Sequence, residues 1–328
     1  MGDVVESGAQ ERAVAARYEA FAVHYEEGAS PAYAEIAREL ARDRAVLDLV
    51  CALPEGNKRQ PNLLLASVRY LGGPVESWAR LRPWLVEHWE SVRAVVLERS
   101  TQTNEVGRLA CLLPVLASLP GPLALVEVGA SAGLCLYPDR YRYSFDGAAP
   151  IGPAESGVVL ECATSGRVPV PERVPEVVWR AGIDLNPLDV RREDDVRWLR
   201  ALIWPGGAEG ERTERLMGAV RVAAADPPLM VAGDLVEQVE AVVRRAPWEA
   251  TVVVMHSAVL PYVPKDRVAA FVEAMGRLSG HWVANEGWRA LPEWARVRPP
   301  REDDFTLALD GRVVGYTGPH GRRVAWAG

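Results

Sequence analysis

Three acids each close an apolar run in this chain: Glu127 in LALVEVGASAGL, Asp184 in AGIDLNP and Asp234 in VAGD. Behind Glu127 stand five small residues, Gly129 to Gly133, that would let a ligand lie directly on backbone. A strand ending in such a turn, with a helix opening after it, is where nucleotide-type ligands sit on α/β sheets. The acid selects among those ligands. A pyrophosphate here would face the Glu127 carboxylate, and like charge at close range is costly. S-adenosylmethionine (SAM), with a sulfonium and an ammonium and no phosphate, meets the acid better than NAD or ATP. On this reading Glu127, Gly129, Ser131 and Gly133 hold the cofactor. Asp184, with Asn186 beside it, takes the ribose hydroxyls, and Asp234 takes an adenine amino group. The competing reading is that each acid caps the helix after it.

Other residues offer chemistry near the same edge. His256 follows the apolar run VVVM, so its ring is expected to emerge at the active edge as a general base. Alternatively it orients its loop. Tyr262 and Glu105 stand behind it as catalytic candidates, and Ser257 can position a substrate. The segment TQTNEVGR packs Gln102, Asn104, Glu105 and Arg108 before an apolar helix. Thr101 or Thr103 could cap that helix, but a cap does not require Gln102, Asn104 or Arg108. An arginine there could hold a carboxylate bidentately. DRYRYSF alternates basic and aromatic residues, so Tyr141 is a substrate-binding candidate, with a plain edge strand as the alternative. His320 in GPHG is a weaker candidate.

The elements that must position these groups fall into two regions. Residues 1–120 read as a helical N-terminal cap. One helix face is spaced through Val14, Tyr18, Phe21 and Tyr25 and stops at Gly28. Further helices are expected over about 31–53, from Pro61 to the Gly72-Gly73-Pro74 stop, through Trp78 to Arg99 with a break or kink at Pro83, and from about Asn104 to Leu119. Residues 121–328 alternate short apolar runs with helical stretches. The runs 123–128, 177–184, 229–234, 251–256 and 281–286 predict a parallel sheet covered on both faces. A hairpin is expected at Asp310-Gly311. The Pro- and Gly-rich stretch of about 138–177 reads as a β-rich insertion. The fold class is α/β, a Rossmann-like class I methyltransferase sheet with a terminal antiparallel hairpin and a helical cap.

Composition narrows the function classes. A net charge of -7 argues against a broad nucleic-acid surface. The four cysteines include no CxxC and the five histidines no HExxH, so no metal site is expected. The start MGDVVESGAQ has neither a basic stretch nor an apolar run, and no segment is long enough to span a membrane. A cytoplasmic protein acting on a small molecule is the expectation.

Six segments together, QTNEVGR, VEVGASAGL, DRYRY, GIDLNP, WLRALIWP and VVVMHSAVLPYVP, resemble the DUF2332 family of uncharacterised, largely actinobacterial proteins. Two departures touch the site: Cys135 stands where that family has Asn, and Leu260-Pro261 where it has Trp-Gln. The sheet segment also resembles class I SAM-dependent methyltransferases, in which the counterparts of Glu127, Gly129, Asp184 and Asp234 contact SAM. The resemblance implies a SAM-dependent enzyme, with methyl transfer the leading reaction. Two other readings stay open. The aminocarboxypropyl arm of SAM could be transferred or cyclised with loss of methylthioadenosine, its carboxylate gripped by Arg108 and Asn104. The fold could also bind a nucleoside-like ligand without catalysis. A nicotinamide dehydrogenase is disfavoured by Glu127 and by the missing GxGxxG.

Overall fold

A computed structural model describes residues 2–25, 30–102 and 104–327. In chain order the helices are α1 (Gly2–Tyr25), α2 (Pro31–Leu40), α3 (Arg44–Cys51), α4 (Pro61–Tyr70), α5 (Trp78–Glu87), α6 (Trp89–Glu98), α7 (Arg108–Leu116), α8 (Glu193–Ala201), α9 (Glu209–Ala225), α10 (Leu235–Val243) and α11 (Lys265–Arg277). The strands are β1 (Leu123–Val128), β2 (Arg142–Phe145), β3 (Val159–Ser165), β4 (Val177–Asp184), β5 (Leu229–Ala232), β6 (Thr251–Ser257), β7 (His281–Gly287), β8 (Phe305–Leu309), β9 (Arg312–Thr317) and β10 (Arg323–Trp326).

The chain forms two compact units. The first holds residues 1–103 and 192–214, and the second holds 104–191 and 215–328, so the boundary passes through α9. This differs from the expected division at 120/121. Helix α7 packs on β3 and β7 and so belongs with the sheet, while α8 packs on α4 and belongs with the helices.

The helical unit departs from its expected spans for local reasons. The stretch 31–53 is two helices because the Asp43 carboxylate accepts the Val46 N–H at 3.2 Å and starts α3. Ser30 caps α2 through Tyr33 N–H, with Pro31 in the first turn. Pro83 lies inside α5 and the break falls at His88 instead. The expected stop at Gly28 lies outside the described residues. Around α8, Arg99 pairs with Asp194 and with Asp195 (2.8 Å), and Tyr70 bonds Asp194 and packs edge-on against Trp198. The acids of the first turn of α8 thus face cations, as the helix dipole favours.

The second unit is a mixed, mostly parallel ten-stranded sheet in the order β2-β3-β10-β9-β8-β7-β6-β1-β4-β5. Five strands, β5-β4-β1-β6-β7, run parallel as the apolar runs predict. All six residues of β1 are buried, as befits a central strand covered on both faces. Strands β8, β9 and β10 then follow antiparallel, and β10 joins β3 in parallel. The β8–β9 turn has Asp310 and Gly311 both at positive φ (51° and 79°), the geometry two-residue hairpins prefer. The 138–177 stretch supplies β2 and β3 at the far edge of the sheet.

One face of the sheet rests on α10 and α11. Val126, Val128, Val254, Phe271, Trp282 and Ala284 share its apolar cluster. The parallel register sets which side chains share each face. Glu127 stands opposite Gly182 and Met255, and His256 stands opposite Ala284. Val126 and Ala284 belong to the α10–α11 face, so Glu127 points to one side of the sheet and His256 to the other.

Candidate functional site

The strand order reverses at β1: β4 lies on one side of it and β6 on the other. The carboxyl ends of β1 and β6 therefore flank a topological switch point, the usual crevice for ligands in open α/β sheets. Glu127 stands there. It is buried, and its Oε2 has no hydrogen-bond partner. Burial pushes the carboxyl up to about 8, the Asp184 charge pushes the same way, and the Arg108 guanidinium opposes both. Cys135 is buried beside it, and burial with the Glu127 charge raises that thiol well above its usual range. A buried carboxyl with an unfilled acceptor is an opening for a donor, and a cationic donor would restore its charge.

The turn after β1 is tightly held. Gly129 and Gly133 both sit at φ 69°, and Ser131 at 52°. The N–H groups of Gly129 and Ala130 donate to Ile183 O, that of Gly133 to Ala130 O, and that of Ser131 to Asp184 Oδ2 at 2.8 Å. These four amides point into the protein, so they form no phosphate cradle. Asp184 Oδ1 also accepts Asn186 N–H at 2.8 Å. Asp184 thus ties the β4 end to the β1 turn and caps no adjoining helix. Asn104 fastens the turn from outside, its Nδ2 donating to Ala130 O at 2.6 Å.

Two expectations about this turn are corrected. No α-helix opens after it: a single 3-10 turn, Leu134–Leu136, precedes Pro138 and the run to β2. The small residues also do not leave open space. A Cβ on Gly129 would lie 2.4 Å from Val259 Cγ2, and one on Gly133 3.0 Å from Pro228. The glycines allow protein to pack on the turn, with Val259 of the loop after β6 seated on Gly129.

Several site candidates are engaged elsewhere. Arg108 donates through Nε to Pro319 O (2.9 Å) and through Nη1 to Ser257 O (3.1 Å), joining the C-terminal loop to the end of β6. Glu105 is buried and paired with Arg215 at 2.9 Å, and it accepts Gly107 N–H. His320 approaches the same carboxylate at 3.7 Å. Helix α7 begins at Arg108 after Gly107, not near Asn104, and has no side-chain cap. Thr101 bonds Gln60 instead, and Thr103 lies outside the described residues. Gln102 is buried in the helical unit. Tyr141 is a core residue whose hydroxyl donates to Leu134 O at 2.8 Å, so it is not a substrate contact. Ser257 Oγ accepts from Asn285, and Asn285 Oδ1 accepts from Thr317. Tyr262 is about half exposed on the turn after β6. Asp234 caps α10 through Val236 N–H (2.8 Å) and pairs with Arg267, so its helix-cap reading describes it.

His256 is the main correction. Its ring is buried against Phe271 and Trp282 on the α10–α11 face, away from Glu127. Nε2 accepts the Trp282 indole N–H at 2.9 Å, so in the neutral ring the proton sits on Nδ1, which meets Glu286 Oε1 at 2.7 Å. Both ring nitrogens are spent, and the residue cannot act as a base in the crevice. Glu286, which sequence reasoning missed, also accepts the N–H groups of Val259 (2.8 Å) and Leu260 (3.3 Å). It holds the loop that places Val259 on Gly129, next to Ala258 at the unusual φ of 58°.

A family model described as an uncharacterized protein conserved in bacteria, DUF2332, matches residues 15–326. The chain belongs to the DUF2332 family. The match spans both units, so this DUF2332 chain carries the helices and the sheet as one family unit. No curated protein matches it. Among the described residues no helix is long and apolar enough to cross a membrane, and no cluster of three or more His, Cys, Asp or Glu could hold a metal.

In this DUF2332 protein, Asp184→Ala should release the amides of Ser131 and Asn186 together. The expected cost is about 2–3 kcal/mol, since each is a charge-assisted bond. Urea denaturation of the full chain measures it. A cost below about 0.5 kcal/mol would mean that solvent replaces both bonds and that Asp184 does not order the turn.

Proposed function

We propose that this protein is a SAM-dependent enzyme acting on a small molecule, with methyl transfer as its reaction and β5-β4-β1-β6-β7 as a Rossmann-like class I methyltransferase sheet. The observation that carries the reading is the unfilled Oε2 of Glu127, buried at the switch point of the sheet. The strand order supports it, because numbering the five parallel strands along the chain gives 3-2-1-4-5. The inward amides of the β1 turn support it too, since a ligand without phosphate needs none of them.

The residues fit a cationic nucleoside. Glu127 Oε2 would accept from the ammonium, and Asp184 at the end of β4 would face the ribose. Ser131 would lie beside the ligand, while Gly129 and Gly133 let Val259 and Pro228 pack on the turn behind it. When bound, SAM supplies a methyl group activated by the sulfonium charge. The chain's task is then to align the acceptor and exclude water. Of the three base candidates, His256 and Glu105 are buried and paired, and Tyr262 is the accessible one. Arm transfer is less well supported, because Asn104 Nδ2 and two donors of Arg108 are already spent on carbonyls.

One observation favours a second reading, a ligand-binding protein without catalysis: Val259 fills the space against Gly129.

The deciding experiment incubates the full chain with SAM, alone and with a bacterial metabolite extract as acceptor source, and identifies nucleoside products by mass spectrometry. S-adenosylhomocysteine is the expected product. Methylthioadenosine would point to arm chemistry. Calorimetric binding of SAM without any product would favour the non-catalytic reading, and no binding at all would overturn SAM dependence.

A further inference from the structure

The sheet unit contains a second cleft that none of the above uses. It has a volume of about 540 Å³ and lies between the β2–β3 connection and the later turns of α9. That volume is in the range of small-ligand sites.

Its walls are fixed. Tyr137 lines it, and the Tyr137 hydroxyl donates to Asp226 O at 2.6 Å. The Arg180 guanidinium stacks 5.0 Å from the Tyr137 ring and pairs with Asp139 at 2.6 Å. Arg140 bridges Asp139 (3.2 Å) and Asp226 (3.9 Å), which neutralises those charges among themselves. On the other side α9 lies tight on the chain before β3, because a Cβ on Gly218 would come within 2.5 Å of Val158. Arg221, Val222 and Ala225 follow Gly218 by three, four and seven positions, one helix face turned to the cleft.

Two charges in this lining make no ion pair or hydrogen bond among the described residues: Arg221 on α9 and Glu155 on the β2–β3 connection. Val158, Val222, Pro153 and Ala225 supply apolar surface in the same lining. One exposed cation and one exposed anion, each without a protein partner among the described residues, flank an apolar lining and so describe the complement of a zwitterion with an apolar body. A single amino acid is small for this volume.

We propose that this cleft is a ligand site for a short apolar zwitterion of dipeptide size, with the ligand carboxylate on Arg221 and its ammonium on Glu155. The Arg221 fork suits a carboxylate bidentately. The site does not depend on the SAM reading.

The test is calorimetric titration of the full chain with L-leucyl-L-leucine, its C-terminal amide and its N-acetyl form. The free dipeptide should bind saturably. Removing either ligand charge should weaken binding by about tenfold or more, as loss of a charge-assisted bond implies. Arg221→Gln and Glu155→Gln should each do the same while the thermal midpoint stays unchanged, since neither side chain has a partner to lose. No saturable heat from the dipeptide up to roughly 10 mM would overturn the proposal. So would binding that is indifferent to Arg221→Gln. Binding that needs the carboxylate but tolerates N-acetylation and Glu155→Gln would also overturn it, in favour of a simple acid site.

Discussion

Glu286→Ala is expected to destabilise the sheet unit by about 3–5 kcal/mol, the range for breaking a buried polar network by removing one partner. The Glu286 carboxylate serves three donors at once: the His256 ring and the amides of Val259 and Leu260. Alanine strands the buried His256 ring among Phe271 and Trp282, and it leaves the amides of Val259 and Leu260 without their acceptor. It also frees the loop that presses Val259 onto Gly129. Glu286→Gln should cost less, because its carbonyl still accepts from one or two of the donors. His256→Ala should cost about 2–4 kcal/mol by leaving the Trp282 indole N–H without its acceptor and opening a cavity. The pair should be non-additive, since both belong to one network. Urea denaturation of the two single variants and the double variant gives the coupling. Fully additive costs would show that the network is not cooperative. A Glu286→Ala protein as stable as wild type would show that the loop is held by other means.

The strands were legible because a strand covered on both faces must be apolar along its whole length. Leu123–Val128 and Val177–Asp184 stand out for that reason, with their acids at the ends. The same property hid the site's geometry. When both faces are apolar, alternation carries no sign of which residue looks to which side. His256 and Glu127 therefore read as neighbours on one edge, although the register sends them to opposite faces. Glu286 read as the close of a strand, because its three donors come from residues 26 to 30 positions away. The turn after β1 read as a helix start because small residues and Leu are compatible with one. Gly133 in the left-handed region and Pro138 five residues on leave room for one 3-10 turn. The two-unit boundary was obscured by α8, which is distant in sequence from the α4 it packs on.

The second large effect belongs to Glu127 and depends on pH. In the unfolded chain its carboxyl titrates near its ordinary value of 4.5, and in the folded protein near 8, chiefly because it is buried. Between those values the folded state keeps a proton that the unfolded state has lost. Stability from this group is therefore fully present below pH 4.5, falls as pH rises, and is lost once pH passes about 8. A shift of this size is worth roughly 3–5 kcal/mol across the window. Glu127→Gln keeps the shape and removes the titration. The variant should match wild type near pH 5 and exceed it by several kcal/mol near pH 9, as urea midpoints in a pH series would show. Parallel pH profiles for the two proteins would mean that Glu127 is already ionised and answered in the free protein. The same linkage bears on function. A cation delivered to Oε2 favours the ionised form, so SAM should bind Glu127 with release of a proton near neutral pH and with affinity that rises toward pH 8. Calorimetry in buffers of different ionisation enthalpy would detect that proton. Its absence, with SAM binding intact, would place the ammonium elsewhere and leave the unpaired carboxyl to the acceptor substrate.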